Sequence, residues 1–209
     1  MSKLKLGFAL EGNSDYPVIP RLAHRIILEG FPHIEFEADS VLRPRKRGHG
    51  FVSELPVFAR QLQDDGAHVM AAVVDTDDTQ VNDRLHRLQQ SKECCRGLDI
   101  FLCIAEGLAV RKMEAWLLAD EGAIFQVYDG NRAGINFAAP EQDPDPKTTL
   151  NRLVRSLTEG RELSYASSAE DLANAISLDL LRQRCPHFHD FAQRLTGCVR
   201  EWERLNAPN

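Results

Sequence analysis

His68-Val69-Met70-Ala71-Ala72-Val73-Val74 runs without a single Asp, Glu, Lys or Arg into Asp75-Thr76-Asp77-Asp78-Thr79. A uniformly apolar run of this length reads as a strand covered on both faces, as strands in the middle of a parallel sheet are. Upstream, Lys3–Leu10 is a second strand-like run, and it ends in Glu11-Gly12-Asn13-Ser14-Asp15. Both strands therefore finish in a short acidic motif.

Working outward, strand-length apolar runs at Leu4–Leu10, Ile34–Leu42, His68–Val74 and Ile100–Ala105 alternate with amphipathic stretches around Val18–Glu29, Val52–Gln63 and Val81–Cys95. Strict alternation of strand and helix predicts right-handed crossovers, hence an α/β fold whose mainly parallel sheet is flanked by helices on both faces. Strands of such a sheet end at one edge and bring side chains distant in sequence into one crevice. A glutamate and two or three aspartates gathered there would repel one another unless a divalent cation neutralised them, which points to a magnesium or manganese site.

Further helices are expected over Arg111–Leu118 and Glu121–Val127. Between Tyr128 and Pro146 the periodicity fails, and Asp129-Gly130 with Pro140, Pro144 and Pro146 reads as a long exposed loop. Beyond it, Thr148–Leu157, Ala169–Ile176, Leu178–Arg184 and Phe188–Arg204 read as helices; the last carries Phe188, Phe191, Leu195, Val199 and Trp202 on one stripe. The expected organisation is an α/β domain over 1–127 and a loop with a C-terminal helical region over 128–209, packed as one structural unit.

The chain has 209 residues, 43% of them hydrophobic, enough for one substantial core. With 31 Asp and Glu against 25 Lys and Arg, its formal charge of −6 argues against a protein that coats nucleic acid, so such a partner needs a local basic patch. Arg43, Arg45, Lys46, Arg47 and His49, broken by Pro44, Gly48 and Gly50, form the one concentrated basic run and suit phosphate contacts; a solvated loop is the plainer reading. The five cysteines form no CxxC pair and no even framework, so reduced thiols, no disulfide, no structural zinc and a cytoplasmic location are expected. No stretch approaches the roughly 18 apolar residues of a membrane-spanning helix.

At the acidic motifs, Gly12 lets the chain turn sharply out of its strand. Asp15 or Ser14 either caps the helix carrying Pro17 or, for Asp15, joins the acidic group. Glu11, the first residue past a buried strand, needs a partner. Asp75 and Asp77, at i and i+2, suffice for magnesium, which takes one or two protein carboxylates and keeps waters; Asp78 or Thr79 serves equally to cap the next helix. Glu114 shares an apolar stripe with Val110, Leu117 and Leu118 and also needs a partner, with Arg111 the structural alternative. Glu106, placed just after the fourth strand, is a weaker candidate. Lys147, in a helix first turn where the macrodipole disfavours a cation, is available to a phosphate. His187 and His189 read as a helix-start turn, Trp116 and Trp202 as core, and none of Tyr16, Tyr128 and Tyr165 has the context of a DNA-cleaving tyrosine of topoisomerase type.

Glu11-Gly12-x-x-Asp15 after the first strand, followed by Asp75-x-Asp77 after a later apolar strand, resembles the Toprim domain of topoisomerases, bacterial primases and the overcoming-lysogenization-defect nucleases. Glu114-Ala115-Trp116-Leu117-Leu118-Ala119-Asp120, Asp145-Pro146-Lys147 and Cys185-Pro186-x-Phe188-x-x-Phe191 narrow the resemblance to a bacterial Toprim-like family of uncharacterised function. The resemblance implies a magnesium-dependent nuclease in which Glu11 is the general acid or base and also a ligand, Asp75 and Asp77 hold the metal, and Asp78 and Glu114 assist. It also implies a nucleic-acid substrate, DNA foremost, and work beside an ATPase, in some relatives in defence against phage. No GxxxxGK[ST] loop is present, so that ATPase would be a separate protein. A homo-oligomer is compatible with all of this.

Two other readings remain. A catalytically idle Toprim-like adaptor would bind an ATPase or nucleic acid without cleaving it. Asp75-x-Asp77-x-Thr79 also matches the DxDxT start of haloacid-dehalogenase-type phosphatases, but that motif belongs after the first strand and here follows the third.

Overall fold

The structure, a computed structural model, describes residues 3–42, 49–77, 80–129, 137–158 and 164–206. The four strands are β1 (Leu6–Leu10), β2 (Ser40–Leu42), β3 (Val69–Asp75) and β4 (Cys103–Ala109), and all pair in parallel in the order β2-β1-β3-β4. Helices α1 (Ile19–Gly30), α2 (His49–Ser53), α3 (Leu55–Asp64) and α4 (Val81–Arg96) fill the crossovers. After β4 come α5 (Glu114–Leu117), α6 (Glu121–Val127), α7 (Pro146–Leu157), α8 (Ala169–Ala175), α9 (Leu178–Arg184) and α10 (Pro186–Asn206), with 3-10 turns at Pro140–Gln142 and Tyr165–Ser168.

Side chains of a strand alternate between faces, and β3 divides accordingly. Val69, Ala71 and Val73 enter one core with Leu6 and Phe8 of β1, α1 and the C-terminal helices; Met70, Ala72 and Val74 enter the other with α2, α3 and α4. The first core joins β1 and β3 directly to Phe188, Phe191, Leu195 and Val199 of α10, all fully buried. Trp202 on the same stripe is only half-buried, its ring 5.6 Å from His68. Trp116 is completely buried between Phe188 and Phe191, at 5.1 and 5.9 Å.

The expected second strand is cut to three residues, with one isolated bridge from Leu4 to Phe36 ahead of it. β4 starts and ends later than expected, so Glu106 lies inside the strand, opposite Ala72 in register, not beyond it. A buried carboxylate is tolerated there because Lys92 Nζ of α4 lies 2.7 Å from Glu106 Oε2 and Arg194 Nε of α10 lies 3.4 Å from Oε1. Glu106 is thus a structural ion pair removed from the strand ends. Cys103 and Cys198 form a disulfide tying β4 to α10, which corrects the expectation of five free thiols: the spacing rules for disulfides say nothing about two cysteines 95 residues apart that a helix brings onto a strand. Cys94, Cys95 and Cys185 are free. Among the described residues no helix is long and apolar enough to cross a membrane.

Candidate active site at the carboxyl edge of the sheet

The chain leaves β1 for β2 on one side and reaches β3 on the other, so the direction of winding reverses between β1 and β3. Open α/β sheets bind ligands at such reversals, outside the carboxyl ends of the strands. A cleft of about 560 Å³ lies there, lined by Glu11, Gly12 and Ser14 from the β1 turn, Asp75 at the end of β3 and Asp77 just past it, Lys112 and Glu114 after β4, Lys147 of α7 and Tyr165. Glu11, Asp75, Asp77, Glu114 and Lys147, singled out in the sequence, therefore share one cavity. Asp78, Arg43, Arg45, Lys46, Arg47 and the side chain of His49 lie outside the described residues.

In the β1 turn, Gly12 N–H donates to Asp15 Oδ2 at 2.8 Å and the Ser14 hydroxyl to Oδ1 at 3.3 Å. Asp15 does not cap α1 with its side chain. That helix begins at Ile19 with no side-chain cap, while the Asp15 carbonyl accepts from Ile19 N–H at 2.8 Å. The carboxyl is folded back under the Glu11 turn and is 4% exposed. Burial, and then the charges of Glu114 and Glu11, raise it to about 6 against the bond from Gly12.

The end of β3 is bound to the segment after β4. Thr76 N–H donates to the Ala109 carbonyl (2.9 Å), Arg111 N–H to Thr76 Oγ1 (2.6 Å), Asp77 N–H to the Arg111 carbonyl (3.0 Å) and Met113 N–H to Asp75 Oδ1 (3.0 Å). Asp77 (φ 49°) and Arg111 (φ 62°) both adopt the left-handed backbone, which is uncommon for aspartate and more so for arginine. This turn at Arg111 also explains why the helix expected over Arg111–Leu118 begins only at Glu114. The Lys112 ammonium hydrogen-bonds Asp77 Oδ1 and lies 3.7 Å from Asp75 Oδ2. Burial works against its charge, but the Asp77 bond and the Asp75 carboxylate prevail and hold its pKa above the ordinary value. Asp75 itself is driven up to about 8, first by burial and then by Asp15, with Glu114 and Glu11 adding and Lys112 opposing.

Glu114, 2% exposed, finds its partners on the C-terminal helices. The Tyr165 hydroxyl donates to Oε1, and Lys147 Nζ is 3.8 Å from the same oxygen. Burial and this bond push the Tyr165 phenol well up. Asp145 caps α7 by accepting from Thr148 N–H at 3.1 Å, which sets Lys147 in the first turn as read from the sequence. The other quoted blocks hold the frame. Asp120 caps α6 through Ala123 N–H and takes Ser177 N–H at 2.9 Å, and Glu141 is gripped by the Trp116 indole (3.3 Å) and His187 (2.8 Å).

Two cleft residues, Lys112 and Tyr165, were not singled out in the sequence. Lys112 was hidden by ending the fourth strand at Ala105; ending it at Ala109 puts Lys112 at the acidic edge. Tyr165 meets Glu114 across 51 residues, a contact with no local sequence signal, whereas the back-folding of Asp15 onto Gly12 is local.

Asp75 and Asp77 offer hard oxygen donors suited to magnesium, and the crowding that raises Asp75 is the strain a divalent cation would relieve. Among the described residues, however, no three His, Cys, Asp or Glu side chains are gathered closely enough to hold a metal as they stand. Within the cleft the tightest grouping is Asp75 and Asp77 with the Lys112 ammonium between them.

Fold and site together define an α/β protein with a four-stranded parallel sheet and an acidic cleft at its winding reversal. The chain belongs to the family described as Domain of unknown function (DUF4276), whose model matches residues 11–196. No curated protein and no solved structure matches it.

Proposed function

We propose that the chain is a divalent-metal-dependent phosphodiesterase acting on nucleic acid, a Toprim-like nuclease working in the cleft between β1 and β3. One observation carries the reading: Glu11, Asp75, Asp77 and Glu114 line the same cleft as the ammonium groups of Lys112 and Lys147. Acids to hold a cation and bases to meet a phosphate are what phosphoryl chemistry requires. Asp75 and Asp77 would hold magnesium or manganese, which when bound polarises a phosphate and lowers the pKa of an attacking water. Glu11 is at the cleft to take or deliver a proton. Lys147, 3.8 Å from Glu114, offsets phosphate charge, and Tyr165 fixes the Glu114 carboxylate. The narrower elements, DNA as substrate, a separate ATPase and a part in phage defence, rest on the motif resemblance.

A second reading, the non-cleaving adaptor, is favoured by the Lys112 ammonium already pairing with Asp75 and Asp77. Nicking of supercoiled plasmid, in magnesium, manganese or EDTA and with and without a co-purified ATPase, separates the two. Wild type is expected to nick only with metal. Asp77→Asn should abolish turnover with little loss of stability, and Glu11→Gln should lower the rate by about 10²–10⁴ while metal still binds. Equal nicking by all three would overturn the site, no nicking under any condition would select the adaptor, and turnover of p-nitrophenyl phosphate alone would select a phosphatase.

A further inference from the structure

Lys112 reaches the acidic edge on a short strap, Arg111–Met113, and the strap is fastened to the end of β3 at three points. Arg111 N–H donates to Thr76, the Arg111 carbonyl accepts from Asp77 N–H, and Met113 N–H donates to the Asp75 carboxylate. Left-handed backbones at Asp77 and Arg111 flank one of these bonds. Non-glycine residues keep such conformations only where the surroundings over-determine them. The ammonium is therefore held, not scattered: it bonds Asp77 Oδ1 and sits 3.7 Å from Asp75 Oδ2. Its side chain is nonetheless 38% exposed, so a route outward into the cleft is open. Lysine only donates hydrogen bonds, and it uses the carboxylate lone pairs that a hard cation would need. A divalent cation held by Asp75 and Asp77 would compete with Lys112 for the same oxygens.

We propose that Lys112 is the resident counter-ion of Asp75 and Asp77 and is displaced when a divalent cation binds, so that metal loading is an exchange of one cation for another. The proposal rests on the metal-dependent reading above. Lys112 then does two things: it lets the crowded edge fold without metal, and it raises the metal concentration at which the site fills.

Manganese binding to the full chain, followed by the electron-paramagnetic-resonance signal of free Mn²⁺ and by calorimetry, tests this independently of any activity. Lys112→Met is expected to bind Mn²⁺ roughly tenfold more tightly than wild type, about 1.4 kcal/mol, and to melt at a lower temperature than wild type in EDTA. Lys112→Gln, also neutral, should match it, whereas Lys112→Arg should stay near wild type. Measurable binding that is equal in wild type and both neutral variants, or weaker in the variants, overturns the exchange and leaves the metal reading standing. Absence of Mn²⁺ binding at millimolar concentration in every form overturns the metal reading and the exchange with it.

Discussion

Asp75 is where burial and charge conflict most sharply. Its carboxyl ends a strand whose preceding six residues are all buried, and it faces Asp15, Glu114 and Glu11, so its folded pKa is lifted from 3.8 to about 8. An acid raised in this way binds more protons folded than unfolded between those two values. Its contribution to stability is complete below about 3.8 and is lost as pH rises through about 8. Asp15, lifted to about 6, adds the same sign over a narrower window, and because the two interact the curve belongs to the pair. In EDTA the melting temperature is therefore expected to fall between pH 5 and pH 9. Asp75→Asn should flatten that fall by removing its larger component. Scanning calorimetry of both proteins across the range decides it, and parallel curves would show that Asp75 ionises as an ordinary surface acid.

Among the elements, the packing of α10 on β4 turns on Gly107. A Cβ built there would lie 2.8 Å from Phe191 Cδ2, closer than real Cβ atoms come, and 3.0 Å from Val73 Cγ2, which is tight. Gly107→Ala should therefore force the Phe191 ring outward and cost about 1–3 kcal/mol, read as a lower urea midpoint at unchanged slope. A midpoint equal to wild type would mean that α10 stands off the sheet. The same contact explains what the sequence could disclose. β1 and β3 were legible because an unbroken apolar run is a local signal, and Glu11, Asp75 and Asp77 followed because strand ends share an edge in a parallel sheet. β4 was misplaced because Glu106-Gly107 looks like a strand terminator. In fact the charge is met by Lys92 and Arg194, and the glycine by Phe191, residues that only the fold brings near. Lys112 was lost with that boundary, whereas Tyr165 was lost because its bond to Glu114 spans 51 residues of chain.

For the whole molecule, a formal charge of −6 and a cleft lined by carboxylates repel a polyanion, so any nucleic acid must be drawn in by a local field. The basic run Arg43, Arg45, Lys46 and Arg47 begins directly after β2, whose last residue, Leu42, pairs in register with Ala9 and accepts a hydrogen bond from the Tyr16 hydroxyl at 2.7 Å. The chain thus leaves β2 at the edge where Glu11 leaves β1. If these side chains contact phosphates, binding should release condensed counterions, and log K should fall with log salt by about 0.9 for each phosphate neutralised on duplex DNA. Charge reversal at Arg45, Lys46 and Arg47 is expected to weaken binding and also to flatten that slope. The measurement is fluorescence anisotropy of a labelled duplex between low and physiological salt, in EDTA so that cleavage does not intrude. Weaker binding at an unchanged slope would assign the loss to net charge and return the run to a solvated loop.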